Sequence, residues 1–284
     1  MKVQIKQDLT KGNCIEAIDL SGRLYNSSYS DNEVRMLYAS AHACNVGIQL
    51  FQLLDDITTA NLGTQDAIIR TMVRLFPSTT ADSRLQSSWF AQDALISSII
   101  SGAVVAPAST ITVDANNPGS TNLSDRTLDA NTYLVFIGMA EVGTGLNRYG
   151  YSAGQSPSAL SYAQGQLLPW TTQAAVQADG TGTACAVVSG LFNMADGISA
   201  IVGYLSGSTS SQLSNITSIL TTGLGVAGNA QCMADIPGGI NATVCAQAAL
   251  RIRYRNACSE PGNAGLGAAS YSAGVIQGIN ALWL

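Results

Sequence analysis

Charge is spread so unevenly along this chain that it limits what the chain can fold into. Of 13 basic and 18 acidic side chains in 284 residues, residues 151–284 hold only seven: Asp179, Asp196, Asp235, Arg251, Arg253, Arg255 and Glu260. The stretches 149–178, 197–234 and 261–284 carry none. A soluble monomer shows a charged face on nearly every surface helix. Much of the second half is therefore expected to be buried against other subunits or lipid. Disorder is excluded, because the chain is 46% hydrophobic and 11% charged, the reverse of a disordered composition. The net charge is -5 and the basic residues form no dense patch, so nucleic acid is not an expected partner.

Hydrophobic periodicity points to an all-α fold. Cys14, Ala17, Ile18, Ser21 and Tyr25 recur at helical spacing and share one small, apolar face. Asn26-Ser27-Ser28 breaks that pattern. Ser30-Asp31-Asn32-Glu33 then supplies capping residues for a helix in which Val34, Leu37, Tyr38, Ala41 and Cys44 share a face. Further helices are expected over 46–57, 65–76, 83–105 and 132–146. The paired N-terminal helices suggest tetratricopeptide-like hairpins, although no clean 34-residue repeat is present. Turn residues run from Pro107-Ala108-Ser109-Thr110 to Asn116-Asn117-Pro118-Gly119-Ser120. They divide a helical-hairpin region, 1–106, from a Gly- and Ala-rich helical region, 107–284, within one continuous unit.

The second region looks made for close contact. Ala195, Ser199, Gly203 and Gly207 lie four apart, as do Ser270, Gly274 and Gly278, and small residues at this spacing let helix backbones approach in lipid or in a tight soluble interface. The missing charge favours lipid or oligomer contact. Residues 184–207 and 264–284 are long enough to approach a bilayer span, but Asp196 interrupts the first, and Ser270, Ser272, Gln277 and Asn280 the second. No series of alternating ten-residue segments marks an outer-membrane barrel. Arg251, Arg253 and Arg255 suit either lipid phosphates or inter-subunit ion pairs with Asp235 or Glu260. Trp89, Trp170 and Trp283 fit a lipid–water boundary or, for Trp89 above all, ordinary core packing.

Six cysteines, Cys14, Cys44, Cys185, Cys232, Cys245 and Cys258, form an even set without CxxC spacing. A structural metal is not expected. Reduced buried thiols and disulfides both remain open, and the even count favours disulfides and hence an exported protein. Residues 1–8 show no apolar signal-peptide core, so export implies a mature form with an added Met.

Catalytic chemistry finds little support. His42, the single histidine, lies in an apolar helical run and reads as a packing residue rather than a base. Asp55-Asp56 follows Leu53-Leu54 near a helix end and reads as a solvated face rather than an acid/base pair. Gly143-Thr144-Gly145, Gly223-Leu224-Gly225 and Gly265-Leu266-Gly267 lack a full phosphate-binding pattern. The chain is expected to be non-enzymatic, with no cofactor other than bound phospholipid.

Three segments carry a resemblance: Cys14-Ile15-Glu16-Ala17-Ile18, Leu24-Tyr25-Asn26-Ser27, and Asp31-Asn32-Glu33-Val34-Arg35-Met36-Leu37-Tyr38-Ala39-Ser40-Ala41-His42-Ala43-Cys44. Over about its first 60 residues the chain resembles the N-terminal region of the PopA-like proteins of predatory bacteria. The resemblance implies an α-helical outer-membrane protein that forms rings and traps lipid, and it implies no catalytic residue. The expectation is a structural, lipid-binding homo-oligomer of the outer membrane; the alternative is a soluble periplasmic helical-repeat module that binds a protein partner. Cys14 and Cys44 lie on facing sides of adjacent helices and are expected to be joined, with Cys185 paired to Cys232 among the remaining four. Lipid is expected to contact residues 184–230 and 264–284, with Gly203, Gly207, Gly274, Gly278 and Trp283 at the packing or lipid surfaces.

Overall fold

The computed structural model describes residues 1–28, 31–47, 72, 81–96, 128–149, 168–180, 182–204, 208–254 and 257–282. Every regular element among them is helical, so the all-α expectation holds for the described residues. The expected helices over 46–57 and 65–76, Asp55-Asp56 and the 106/107 boundary lie outside them, apart from Val46 and Met72.

The chain opens with three helices, α1 (Lys2–Lys11), α2 (Cys14–Ser28) and α3 (Asn32–Val46). Their ends follow local chemistry. Gly12 closes α1 in the left-handed region at φ 75°, and its N–H reaches the carbonyls of Asp8 and Leu9, a geometry that costs a side-chain-bearing residue more than glycine. The Asp31 carboxylate caps α3 by accepting from the Glu33 and Val34 N–H groups, satisfying two donors that the helix itself leaves unpaired. On α2, Ala17, Ser21 and Tyr25 are buried, as the spacing predicts. Ile5, Ala17, Leu37 and Ala41 form a small core among these helices, and Tyr25 stacks on Tyr38 with ring centroids 4.5 Å apart.

Packing then passes from each helix to the next. Helix α3 lies against α4 (Ala81–Ile96), α4 against α5 (Leu128–Tyr149), and α5 against α7 (Thr183–Ile201). Between α5 and α7 stands the short α6 (Gln173–Gln177). The α5–α7 crossing is close because its contact points lack side chains. A Cβ on Gly138 meets the Gly190 carbonyl oxygen and lies 2.9 Å from Met194 Cβ, and one on Gly197 lies 2.6 Å from the Asn131 carbonyl oxygen. Gly143-Thr144-Gly145 sits inside α5, where Gly145 faces Val187, so it forms helix backbone and not a phosphate loop.

Beyond the turn Val202–Tyr204, a long helix runs as α8 (Ser208–Ser218), a π-helical segment (Ile219–Leu224) and α9 (Gly225–Asp235). Its buried stripe, Ile216, Leu220, Leu224, Gly228 and Cys232, recurs every fourth residue. Each such step overshoots a 3.6-residue turn by about 40°, which would carry the stripe around an unbroken α-helix. The wider i→i+5 turn of the π segment absorbs the excess and keeps the stripe on its neighbours, α7 and the last helix. Then follow α10 (Asn241–Arg251), the turn Ala257–Ser259 and α11 (Asn263–Leu282).

The two longest helices of the charge-poor second half are interior, α7 with Asp196 as its one charged side chain and α11 with none. On α7, residues 183–195 are all buried, and residues 267–276 of α11 are enclosed among α6, α7, α9 and α10. Among the described residues one helix, Thr183–Tyr204, is long and apolar enough to cross a membrane, and most of it is buried inside the chain. Enclosure within one chain is enough to account for the missing charge on both helices.

Three disulfides fasten these elements. Cys14–Cys44 joins α2 to α3 with Cα atoms 5.4 Å apart, as expected from their facing positions. Cys185 is bonded to Cys258 (6.0 Å) and Cys232 to Cys245 (5.7 Å), which corrects the expected pairing of Cys185 with Cys232. The reason lies in packing. Cys185, in the first turn of α7, meets the 257–259 turn, whereas Cys232 faces α10 from the end of α9.

Candidate functional site

The residues singled out from the sequence divide into those consumed by internal packing and those left on the outside. Gly274 and Gly278 belong to the first group. A Cβ on Gly274 meets the Ala227 carbonyl oxygen, Gln231 Cβ at 2.6 Å and Gly228 Cα at 2.9 Å; one on Gly278 lies 2.8 Å from Leu224 Cδ2. The stripe on α11 is therefore the seat of α9 in the same chain. Its polar side chains are matched just as closely. Ser270 Oγ donates to Asp235 Oδ2 at 2.7 Å. Gln277 Nε2 donates to the Thr171 carbonyl at 2.7 Å. Asn280 accepts from Leu168 N at 3.0 Å and returns a bond to its carbonyl at 3.1 Å. These bonds settle polar groups that a lipid-exposed helix would leave unpaired.

The arginines are also internal. Arg251 and Glu260 pair within the chain, each side chain only 6% exposed. Burial holds the Glu260 carboxyl above the usual glutamate range even though Arg251 opposes the shift. Arg253 reaches both carboxylate oxygens of Asp196, at 3.0 and 3.1 Å, and lies over the Phe192 ring 5.2 Å from its centroid. Burial works against this cation, but the Asp196 carboxylate outweighs it and raises the Arg253 pKa above its ordinary value. The Arg253 carbonyl accepts from Ser189 Oγ at 2.7 Å and Asn193 Nδ2 at 2.8 Å. With Cys185–Cys258, these contacts strap residues 251–260 onto α7. Of the two roles open to the arginines in the sequence, ion pairing describes Arg251 and Arg253, within one chain rather than between subunits. Arg255, Gly207 and Trp283 lie outside the described residues. Trp89 and Trp170 are buried.

His42 is buried between α3 and α4. Its Nδ1 lies 3.3 Å from Ser87 Oγ, its Nε2 has no hydrogen-bond partner, and Tyr38 and Phe90 pack on the ring. Burial pushes its pKa down to about 4, so it is neutral at pH 7, with no carboxylate shown orienting it as a base. Among the described residues no group of three or more His, Cys, Asp or Glu is placed to hold a metal.

On the outside, the described residues of the second half present a charge-poor face, while Met1, Val3, Ile15 and Phe90 are exposed in the first half of the chain. Residues 197–250 hold a single charged side chain, Asp235, and the outer faces of α8, α9 and α10 are exposed along that span. Tyr204 is 76% exposed, Val226 63%, Ile240 42% and Met233 38%. Gly203 stands in the open, with no atom within 4 Å of a Cβ built on it. Hydroxyls on this side turn back to their own helices: Ser199 to the Ala195 carbonyl at 2.9 Å, Thr217 to Leu213 at 3.1 Å and Thr221 to Thr217 at 2.8 Å. Polar side chains bonded this way do not depend on water. The sequence analysis pointed to the second half of the chain without separating this face from the buried helices. The long gap in charge between Asp196 and Asp235 was the available signal; it covers the last five residues of α7 and then α8, the π segment and α9 up to Ala234, but absence of charge alone does not say which side of those helices faces out. No family model matches the chain, and no significant similarity to a curated protein or to a solved structure was found.

Proposed function

We propose that this chain is a non-enzymatic structural protein of the outer membrane that self-assembles into a ring-like homo-oligomer and holds membrane lipid. In this reading its N-terminal, tetratricopeptide-like hairpins face water, and the outer face of α8–α10 meets acyl chains or other subunits. The observation that carries it is the exposed outer face of α8–α10, in a stretch, 197–250, whose one charged side chain is Asp235. Apolar area removed from water contributes about 25 cal/mol per Å², and the one charge nearby, Asp235, is bonded to Ser270 and Gln231. The back-bonded Ser199, Thr217 and Thr221 lower the cost further. Three disulfides suit an oxidising compartment.

The second reading, a soluble periplasmic module that binds a protein partner, draws support from the enclosure of α7 and α11, which leaves neither helix in need of lipid. Photo-crosslinkable phospholipid separates the two. Label on peptides from 199–250, with little on 1–47, is the expected outcome. Label confined to 1–47, or none, leaves the soluble module as the better reading.

A further inference from the structure

We propose that the Cys14–Cys44 bridge is a thiol–disulfide exchange site for dithiol reductants, and that opening it releases α1 and α2 from α3 while the rest of the fold stays closed. Solvent access separates the three bridges. Cys185, Cys232, Cys245 and Cys258 are between 0% and 7% exposed, out of reach of an attacking thiol in the folded chain. Cys14 and Cys44 are each half-buried, and Gly12, Asn13 and Ile15 beside Cys14 are exposed. Exchange rates depend on access to a sulfur, and this is the bridge a thiolate can meet without prior opening of the fold. The other anchors of α1 and α2 are few. The two helices pack chiefly on each other and on α3, around Ile5, Ala17, Leu37 and Ala41, with Tyr25 stacked on Tyr38. Lys2 and Lys6 pair with Asp31 and Glu33 at the surface, where ion pairs contribute little. Helices α7 to α11, by contrast, keep two bridges of their own and the main core.

Helix polarity sets the direction of attack. Cys14 is the first residue of α2, and Cys44 stands in the last turn of α3. The positive end of a helix dipole stabilises a thiolate and the negative end opposes it, so Cys14 is the better leaving group. Glu16, in the same turn of α2, is exposed, and its opposing charge is screened by solvent and salt. A reductant thiolate therefore bonds to Cys44 Sγ, the Cys14–Cys44 bond breaks, and Cys14 leaves as a thiolate with the electron pair. The second thiol of the reductant, once deprotonated, attacks the reductant's own sulfur in the mixed disulfide. Cys44 then leaves as a thiolate and the reductant closes to a disulfide. Two electrons pass from reductant to protein, and the two protons released by the reductant thiols balance the two new cysteine thiolates.

The test exposes the folded full chain to dithiothreitol at neutral pH, blocks freed thiols with N-ethylmaleimide at intervals, and maps the peptides. Cys14 and Cys44 are expected to be labelled at least about tenfold faster than the other cysteines, whose release waits on larger openings of the fold. Labelling of all the cysteines at one rate, or of a buried pair first, overturns the exchange site. With glutathione, a monothiol, and Cys14 trapped by the maleimide, the adduct is expected on Cys44; an adduct chiefly on Cys14 overturns the direction of attack. Hydrogen exchange on the dithiothreitol-treated samples reads the release. Protection is expected to fall over 2–28 and to persist over 183–201 and 263–282, and unchanged protection over 2–28 after reduction overturns the release. Cys14→Ser with Cys44→Ser should show the same pattern without reductant; a variant as protected over 2–28 as the oxidised wild type also overturns it.

Discussion

Replacing both Cys185 and Cys258 by alanine removes the covalent tie that holds the 251–260 strap to α7. The bridge spans 73 residues, and the loop-entropy relation gives about 4.4 kcal/mol for a closure of that length. The folded chain keeps the other contacts of the strap: Arg253 on Asp196, Ser189 and Asn193 on the Arg253 carbonyl, and Arg251 on Glu260. The loss therefore falls chiefly on the unfolded state, which regains conformational freedom. A chain of 284 residues has an unfolding entropy of about 0.6 kcal/mol/K at its midpoint, so the expected drop in Tm is about 7 °C. Thermal unfolding followed by circular dichroism, on wild type and double variant in the same detergent, measures it. A drop below about 2 °C, or unreduced peptide mapping that links Cys185 to Cys232, refutes the reasoning.

Three further outcomes follow from the packing and the titration of single residues. Gly274→Ala forces a Cβ against Ala227, Gln231 and Gly228 and is expected to lower stability by about 1–3 kcal/mol, read by denaturant unfolding; no loss would mean that α9 and α11 do not meet this closely. A Cβ at Gly203 has no described atom within 4 Å, so for Gly203→Leu the Tm should hold while particle size in detergent changes; an unchanged particle removes Gly203 from the contact surface. His42 has a folded pKa of about 4 against an ordinary 6.5, so protonation favours the unfolded chain. Its contribution is present in full above pH 6.5, is lost as pH falls toward 4, and amounts to about 3 kcal/mol. His42→Gln should show a smaller difference in stability between pH 7 and pH 4 than wild type, and an equal difference would contradict a buried neutral imidazole.

The local features were legible in the sequence, and the pairings between distant ones were not. Asp31 as the cap of α3, the buried face Ala17–Ser21–Tyr25 and the Cys14–Cys44 bridge depend on residues one helical hairpin apart, where helical spacing fixes which side chains meet. Gly274 and Gly278 were recognisable as points of close approach. That they seat α9 of the same chain was not, because small residues serve an interior helix pair and a lipid-embedded one alike. The partners of Cys185 and Cys232 depend on how α7, α9 and α10 are placed in space, which sequence spacing does not encode. The π segment Ile219–Leu224 has no local marker either; its cause is the four-residue spacing of the stripe that α7 and α11 cover. For Arg251 the partner Glu260 was one of the two acids the sequence offered, but Arg253 pairs with Asp196 rather than Asp235, a contact across 57 residues that depends on how the 251–260 strap lies on α7.

Native mass spectrometry of the detergent-extracted protein tests the central claim most directly, because it reports subunit number and bound lipid together. The charge-poor outer face of α8–α10 predicts a particle of two or more 29.4 kDa chains, with the added mass of phospholipid retained when the detergent is stripped. A monomer that carries no phospholipid at any concentration contradicts it.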